Sequence, residues 1–313
     1  MAGITKKIGD LDVFPLSLGG NVFGWTADRD TSYRVLDAYT AAGGDFIDTA
    51  DAYSAWVEGN RGGESEEIIG AWMEARRNRG DVVIGTKVGA SPDRRGLSPA
   101  NIKGAVEDSL RRLRTDYIDL YYTHRDDPSV PVEDIMTSLD GLVRDGKVRE
   151  IAVSNIEPER LQASLEFSER EGLARYAAIQ PHYNLVSRDT YEGPRMDLAR
   201  RYGLAAVPYY ALASGFLTGK YRPGADVDSQ RAGKAGEYLK SERGQRVLAA
   251  LDAVAGERGA SVASVAVAWL AAQPTVVAPL ASARTVEQLQ PLLDAVRLDL
   301  SSEDVARLTE ASA

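Results

Sequence analysis

Four side chains of the kinds that carry protons stand in short, separate motifs: Asp48 and Tyr53 in FIDTADAY, Lys87 in GTKV and His124 in LYYTHRDD. Brought together, a carboxylate, a phenol, an ammonium and an imidazole would form a proton-transfer site. Taken singly, each has a plainer reading, with Asp48 as a helix N-cap, Lys87 as a solvated lysine and His124 as a packed core residue. More polar residues follow apolar runs: Ser154 and Asn155 in AVSN, Gln180 in AIQPHYN, Tyr209 in VPYYAL, and Ser282 and Arg284 in LASART. Other chemistries lack their residues. The chain has no cysteine, which excludes disulfides, thiolate metal sites and a cysteine nucleophile. Two histidines, His124 and His182, are too few for a multi-histidine metal centre. GFLTGK resembles a nucleotide P-loop only in outline: it is one residue short between its glycines, and Tyr221 replaces the magnesium-binding hydroxyl. No GxSxG elbow is present, so serine hydrolysis has no support.

These motifs need elements to position them. Short β-rich runs alternate with longer helical patterns, and the expected strands are 14–20, 46–50, 82–88, 117–124, 150–155, 177–181, 205–210 and 276–281. Several are continuously apolar, as in IDLYY and VVIG, which suits a parallel sheet buried on both faces. Helices are expected over 31–42, 101–113 (with Ser98 as N-cap and Pro99 in the first turn), 132–145, 157–170 and 190–202. Helix after strand, repeated about eight times, is the pattern of a closed (β/α)8 TIM barrel. A doubly wound sheet would carry a GxGxxG turn after its first strand, and none is found. Residues 4–12 read as a β-hairpin expected to cap the barrel floor, and 222–240 as a polar, mobile loop. No repeat or low-complexity linker divides the chain, so residues 1–313 are read as one domain. Asp48, Tyr53, Lys87 and His124 then fall at corresponding ends of successive strands, where barrel chemistry is placed.

Composition fits this picture. With 313 residues, 44% hydrophobic and 27% charged, the chain is an ordinary globular one. Its net charge of −9 argues against a general nucleic-acid or membrane binder, while leaving room for a local cationic patch. The apolar runs are too short to cross a membrane, and the reading is a cytoplasmic protein.

The ordered series FIDTADAY, GTKV, LYYTHRDD, VSN, IQPHYN, ASGFLTGKY and SARTVEQLQ resembles the signature of the aldo-keto reductases, from the first strand nearly to the C-terminus. The resemblance implies carbonyl reduction with NADPH/NADP+. Tyr53 would donate the proton, the Lys87 ammonium would lower the Tyr53 pKa, and Asp48 would hold Lys87. His124 would orient the carbonyl, and Trp25, Tyr53 and His124 would meet the substrate. On the cofactor side, the resemblance implies contacts from Asp48, from Ser154, Asn155 and Gln180 to the carboxamide, and from Tyr209 to the nicotinamide ring. Leu212, Gly215, Leu217 and Lys220 would follow the pyrophosphate. Ser282, Arg284 and Gln288 would grip the adenosine phosphate, although Pro291 and Leu292 stand where the commoner family ending has glutamate and asparagine.

Substrate contacts are less defined. Phe23, Trp25 and Trp56 are expected either to wall the nicotinamide or to pack under their loops. EGNRGGESEE is read as a flexible loop entering a helix, and Arg125, Asp126 and Asp127 as substrate contacts or a solvated rim. The partner implied is a small carbonyl compound, in either reaction direction, with the oligomeric state open. Two rival readings are a nucleotide-sensing subunit similar to the family's potassium-channel β-subunits, and a barrel aldolase or isomerase using Lys87 as a Schiff base.

Overall fold

The structure, a computed structural model, describes residues 5–222 and 232–313. Eight parallel strands follow one another around a ring: β1 (Ser17–Gly19), β2 (Phe46–Asp48), β3 (Val83–Val88), β4 (Ile118–Thr123), β5 (Val148–Ser154), β6 (Tyr176–Gln180), β7 (Ala205–Ala206) and β8 (Leu280–Ala281). Each pairs in parallel with its neighbour in sequence, and β8 pairs with β1 through Leu280 opposite Ser17. The ring closes between β7 and β8 through single bonds: Ala206 N–H donates to Thr275 O at 2.8 Å, Val277 to Ala206 O at 2.9 Å and Leu280 to Pro208 O at 2.9 Å. This is the (β/α)8 barrel expected from the alternation.

All eight strands fall inside or beside the expected runs. The last two are much shorter than expected because Pro208 and Pro279 lack an amide hydrogen and interrupt the ladder. Close approach at the seam also restricts side chains: a Cβ on Gly19 would lie 2.5 Å from Ser282 Oγ.

Helices cover the outside: α1 (Arg29–Ala41), α2 (Glu64–Arg76), α3 (Pro99–Leu113), α4 (Val132–Arg144), α5 (Pro158–Glu171) and α6 (Pro194–Tyr202). Asp28 caps α1 by accepting from Thr31 N–H at 2.8 Å, and Ser98 caps α3 ahead of Pro99 as expected. The connection from β7 to β8 carries three helices, α7 (Ala232–Lys240), α8 (Glu242–Arg258) and α9 (Val262–Ala271); α10 (Val286–Arg297) and α11 (Ser302–Ala311) complete the chain.

The mobile loop expected over 222–240 is therefore corrected in its second half. Residues 232–240 are helical because Ala235, Tyr238 and Leu239 recur at helical spacing, with Ala235 buried and Tyr238 against Phe216 at 5.4 Å. Residues 223–231 lie outside the described residues. The EGNRGGESEE stretch is likewise tied down: Asn60 Nδ2 donates to Gly24 O and Ser54 O, and Glu64 accepts from the amides of Arg61 and Gly62.

Two features fix the lower half of the barrel. The hairpin Lys6–Ile8 and Leu11–Val13 inserts Ile8, Leu11 and Val13 into the interior cluster with Phe46, Leu120, Ala178 and Val207, closing the floor. Lys6 Nζ reaches Val276 O and Glu150 accepts from Asp10 N–H, pinning the hairpin to opposite sides of the ring. Asp119 on β4, almost fully buried, takes Arg79 at 2.7 Å, Arg149 at 2.9 Å and the Ile84 amide at 2.9 Å, which ties β3, β4 and β5 together. Among the described residues no helix is long and apolar enough to cross a membrane.

The plug leads to a stability prediction. Leu11→Ala opens a cavity in the floor and is expected to cost about 2–5 kcal/mol while leaving nucleotide binding at the far end of the barrel unchanged. Urea unfolding midpoints and nucleotide titration check it; an unchanged midpoint would show that the hairpin is an ornament on the floor.

Candidate active site

The C-terminal ends of the strands open into a cleft of ≈ 960 Å³. Beneath its floor, Lys87 on β3 is completely buried. Its Nζ donates to Asp48 Oδ2 at 2.6 Å, to Thr49 O at 2.7 Å and to Tyr53 OH at 3.1 Å. Three acceptors match the three hydrogens of an ammonium, so the lysine has no lone pair to offer a carbonyl, and the Schiff-base reading loses its nucleophile. Asp48 Oδ1 in turn accepts from Gln180 Nε2 at 2.8 Å across the barrel. Tyr53 OH also lies 3.3 Å from Asp48 Oδ2, a long bond beside the 2.6 Å ion pair.

The four expected residues are thus brought together. The Tyr53 ring meets the His124 ring edge-to-face at 5.9 Å, and both line the cleft, while Asp48 and Lys87 lie below it. Burial and the adjacent Asp48 carboxylate push the Tyr53 phenol well above its ordinary range. Burial and the Asp48 charge thus outweigh the expected lowering by Lys87, and the tyrosine rests in its protonated form. Burial also pulls the Lys87 ammonium down, against the opposing fields of Asp48, Asp51 and Glu66. His124 is held neutral, its pKa lowered to about 3 by burial and then by Lys87 and Arg125. Its Nδ1 has no hydrogen-bond partner among the described residues.

Next to this centre, Asn155 Nδ2 donates to His124 O at 2.8 Å and to Ser154 Oγ at 2.9 Å, and Tyr209 OH donates to Asn155 Oδ1 at 2.9 Å. Asn155 has φ 49°, a left-handed conformation asparagine tolerates, and this turns its amide from the strand toward the cleft. Tyr209 presents one face to His182, with ring centroids 5.4 Å apart. Of the other expected cofactor residues, Gln180, Leu212, Gly215, Lys220, Ser282, Arg284 and Gln288 also line the cleft. Leu217 does not: its side chain is in the core and its amide donates to Leu212 O. Pro291 and Leu292 both reach the lining, within α10.

Among the aromatic residues, Trp25 and Trp56 pack edge-to-face at 5.5 Å on the cleft wall, with Trp56 against Tyr53 at 6.2 Å. Phe23 is fully buried in the core, as the packing alternative has it. The sequence reading missed Ala90 and Pro92 on one side and Ser261 and Ala263 on the other. Ser261 carried a signal, since it is a serine three residues ahead of Ser264 at the start of an apolar helix, and it does cap α9.

A dinucleotide fits this lining. The start of α9 and the start of α10, capped by Thr285, converge at the end bearing Lys220 and Arg284, neither of which has an ion pair among the described residues. Helix N-termini and free cations are the groups that hold phosphates. At the opposite end, amides and an aromatic face surround a neutral proton-transfer centre.

The fold and this lining define a barrel oxidoreductase. The model of the Aldo/keto reductase family matches residues 15–313, and the chain belongs to that family. It is 34% identical to an aryl-alcohol dehydrogenase [NADP(+)] of Phanerodontia chrysosporium over 96% of this chain and 83% of that protein. It is 31% identical to the norsolorinic acid reductase stcV of Emericella nidulans, covering 98% and 80% of the two chains, and 34% identical to an uncharacterized oxidoreductase of Bacillus subtilis, covering 96% and 92%. Reduction of carbonyl compounds is therefore the class of activity.

Behind Lys87 lies a second carboxyl with a testable titration. Asp51 is almost fully buried, and desolvation with the nearby Glu66 charge pushes it from 3.8 up to about 7, against Arg112 and the amides of Gly89 and Ser91. The folded protein thus keeps this proton to about pH 7 whereas the unfolded chain releases it near 3.8. Its contribution to stability is complete below the lower value and is lost as pH rises through the upper one. Asp51→Asn removes the titration, so the melting temperature of the variant relative to the parent is expected to rise from about pH 4 to about pH 8. A difference that stays constant over that window would contradict the assignment.

Proposed function

We propose that this chain reduces aromatic or otherwise apolar aldehydes and ketones with NADPH, Tyr53 giving the proton. The observation that carries the reading is the chain Asp48–Lys87–Tyr53, which ends in a phenol on the cleft beside His124. The nicotinamide, when bound, supplies the hydride.

The protein's own work is proton delivery and charge stabilisation. The protonated Tyr53 exchanges its long 3.3 Å bond to Asp48 for one to the carbonyl oxygen, and donates as negative charge develops there. Lys87, already 3.1 Å from that phenol oxygen, stabilises the phenolate left behind. Neutral His124 orients the carbonyl by a hydrogen bond instead of by charge. Ser154, Asn155 and Gln180 hold the carboxamide and so select the ring face presented, and Tyr209 stacks against the ring. The same groups run the reverse reaction, alcohol oxidation.

The apolar wall of Trp25 and Trp56 supports aromatic substrates, as do the names of the aryl-alcohol and norsolorinic acid relatives. The hydrogen-bonded chain from Asp48 through Lys87 to Tyr53 favours this reading over a nucleotide-sensing subunit, which needs no proton donor. Residence in the cytoplasm is part of the proposal and is read by fractionation.

Tyr53→Phe keeps the ring and removes the proton, so turnover is expected to fall about 10²- to 10⁴-fold with NADPH binding nearly intact, as followed by nicotinamide fluorescence. Near-normal turnover would remove Tyr53 from the acid role.

Cofactor choice is assigned to Arg284. NADPH differs from NADH only in the 2′-phosphate, and a guanidinium contact to it is worth roughly 1.5–3 kcal/mol, one to two decades in affinity. Arg284→Ala should weaken NADPH by that much and leave NADH almost unaffected. Equal losses for the two nucleotides, or a parent protein that favours NADH, would place phosphate recognition elsewhere.

A further inference from the structure

Three charged residues follow His124, and the structure separates their roles. Asp126 forms an ion pair with Arg160 at 2.5 Å. Asp127 accepts from the Leu97 amide at 2.9 Å and from Ser129 through both its amide and its hydroxyl. Both acids are therefore consumed in holding the loop. Arg125 has no ion pair or side-chain hydrogen bond among the described residues, and it lines the cleft. Its charge is felt at the reacting end: after burial and Lys87 it adds to the lowering at His124, and it opposes the burial that raises Tyr209.

The balance of charge in the cleft is unusual for an acidic protein. The chain carries 46 acidic residues against 37 basic ones. Yet the described lining holds three cations, Arg125, Lys220 and Arg284, and a single carboxylate, Glu287, which lies at the start of α10. Lys220 and Arg284 belong to the phosphate end. Arg125 adjoins His124 and stands apart from them, where a nucleotide bound as described would present its uncharged nicotinamide.

We infer that Arg125 docks a carboxylate on the substrate, and that the preferred substrates are carbonyl compounds carrying an acid group across an aromatic or apolar spacer. This rests on the reductase reading above and narrows it. The spacer follows from the wall facing the centre, formed by Tyr53, Trp25 and Trp56. A guanidinium binds a carboxylate through two parallel hydrogen bonds, and the flat apolar surface beside it receives the ring between the acid and the carbonyl. The contact would lie away from the reacting atoms and so act on binding, not on the chemical step.

The test compares 4-carboxybenzaldehyde with its uncharged methyl ester, using the full-length protein with saturating NADPH. Intrinsic reactivity differs between the two aldehydes, so the quantity read is the ratio of their kcat/KM values in the parent protein and in Arg125→Met. The ratio is expected to fall about tenfold in the variant, through KM of the acid and not through kcat, with Arg125→Lys retaining part of the preference. Raising the salt concentration should shrink the parent's preference in the same direction. An unchanged ratio overturns the inference. So does a weakened NADPH affinity in Arg125→Met with the ratio intact, which would assign the cation to the nucleotide. Failure of the parent protein to reduce either aldehyde or unsubstituted benzaldehyde would instead remove the reductase reading on which the inference rests.

Discussion

A lysine ammonium with no access to water governs this structure. Taking such an ion out of water costs several kcal/mol even after relaxation, and the cost is offset only if every hydrogen finds an acceptor. Lys87 meets the condition with three, from Asp48, Thr49 and Tyr53, and Asp48 is itself fixed by Gln180. The set spans β2, β3 and β6, so the barrel must close to its correct diameter for the charge to be tolerated at all. The requirement that keeps the lysine stable is also the one that aims the phenol at the cleft.

The surroundings of that lysine extend the same logic outward. Glu66 on α2 accepts from Thr86, next to Lys87 on β3, and from Arg112 on α3 at 2.6 Å. Helix positions on the outer layer are thereby linked to the strand that carries the ammonium. The cleft above is divided electrostatically. At its reacting end a protonated phenol and an uncharged imidazole adjoin the single cation Arg125, whereas Lys220 and Arg284 load positive charge onto the far end. Phosphate groups are drawn to the far end by its two cations, and the near end orients what reaches it by shape and hydrogen bonds as well as by charge.

Much of this was legible in the sequence, for a geometric reason. In a parallel barrel every strand points the same way, so the residue just past each apolar run lies on the same rim; Asp48, Lys87, His124, Asn155 and Gln180 needed no contact information to be grouped. What was hidden depends on relations through space. Whether Phe23 packs inward while Trp25 faces the cleft cannot be told from three adjacent loop positions. The Tyr53 pKa goes up instead of down because burial disfavours the phenolate and the Asp48 carboxylate beside it repels the charge, which spacing along the chain does not reveal. The short β7 and β8 follow from Pro208 and Pro279, both visible in the sequence, but which ladder bonds a proline removes depends on the strand beside it. Around Ala235 and Tyr238 the polar residues dilute a short helical pattern, and only their packing reveals it.

The seam between the two ends of the chain has a consequence for how the protein is made. The first strand can find its second neighbour only when the last has left the ribosome, and the Ser282 hydroxyl that meets Asn21 at the rim arrives 261 residues after it. Contacts of such sequence separation form late, because the loop they close must first be ordered. Asp48, Lys87 and the phenol between them are synthesised early, so a nascent chain holds its costly ammonium for most of translation without a ring to enclose it. The ammonium's three acceptors, Asp48, Thr49 and Tyr53, are made before it, so what the half-made protein lacks is the enclosing ring and not the partners. The pairing of the last strand with the first is what completes that enclosure.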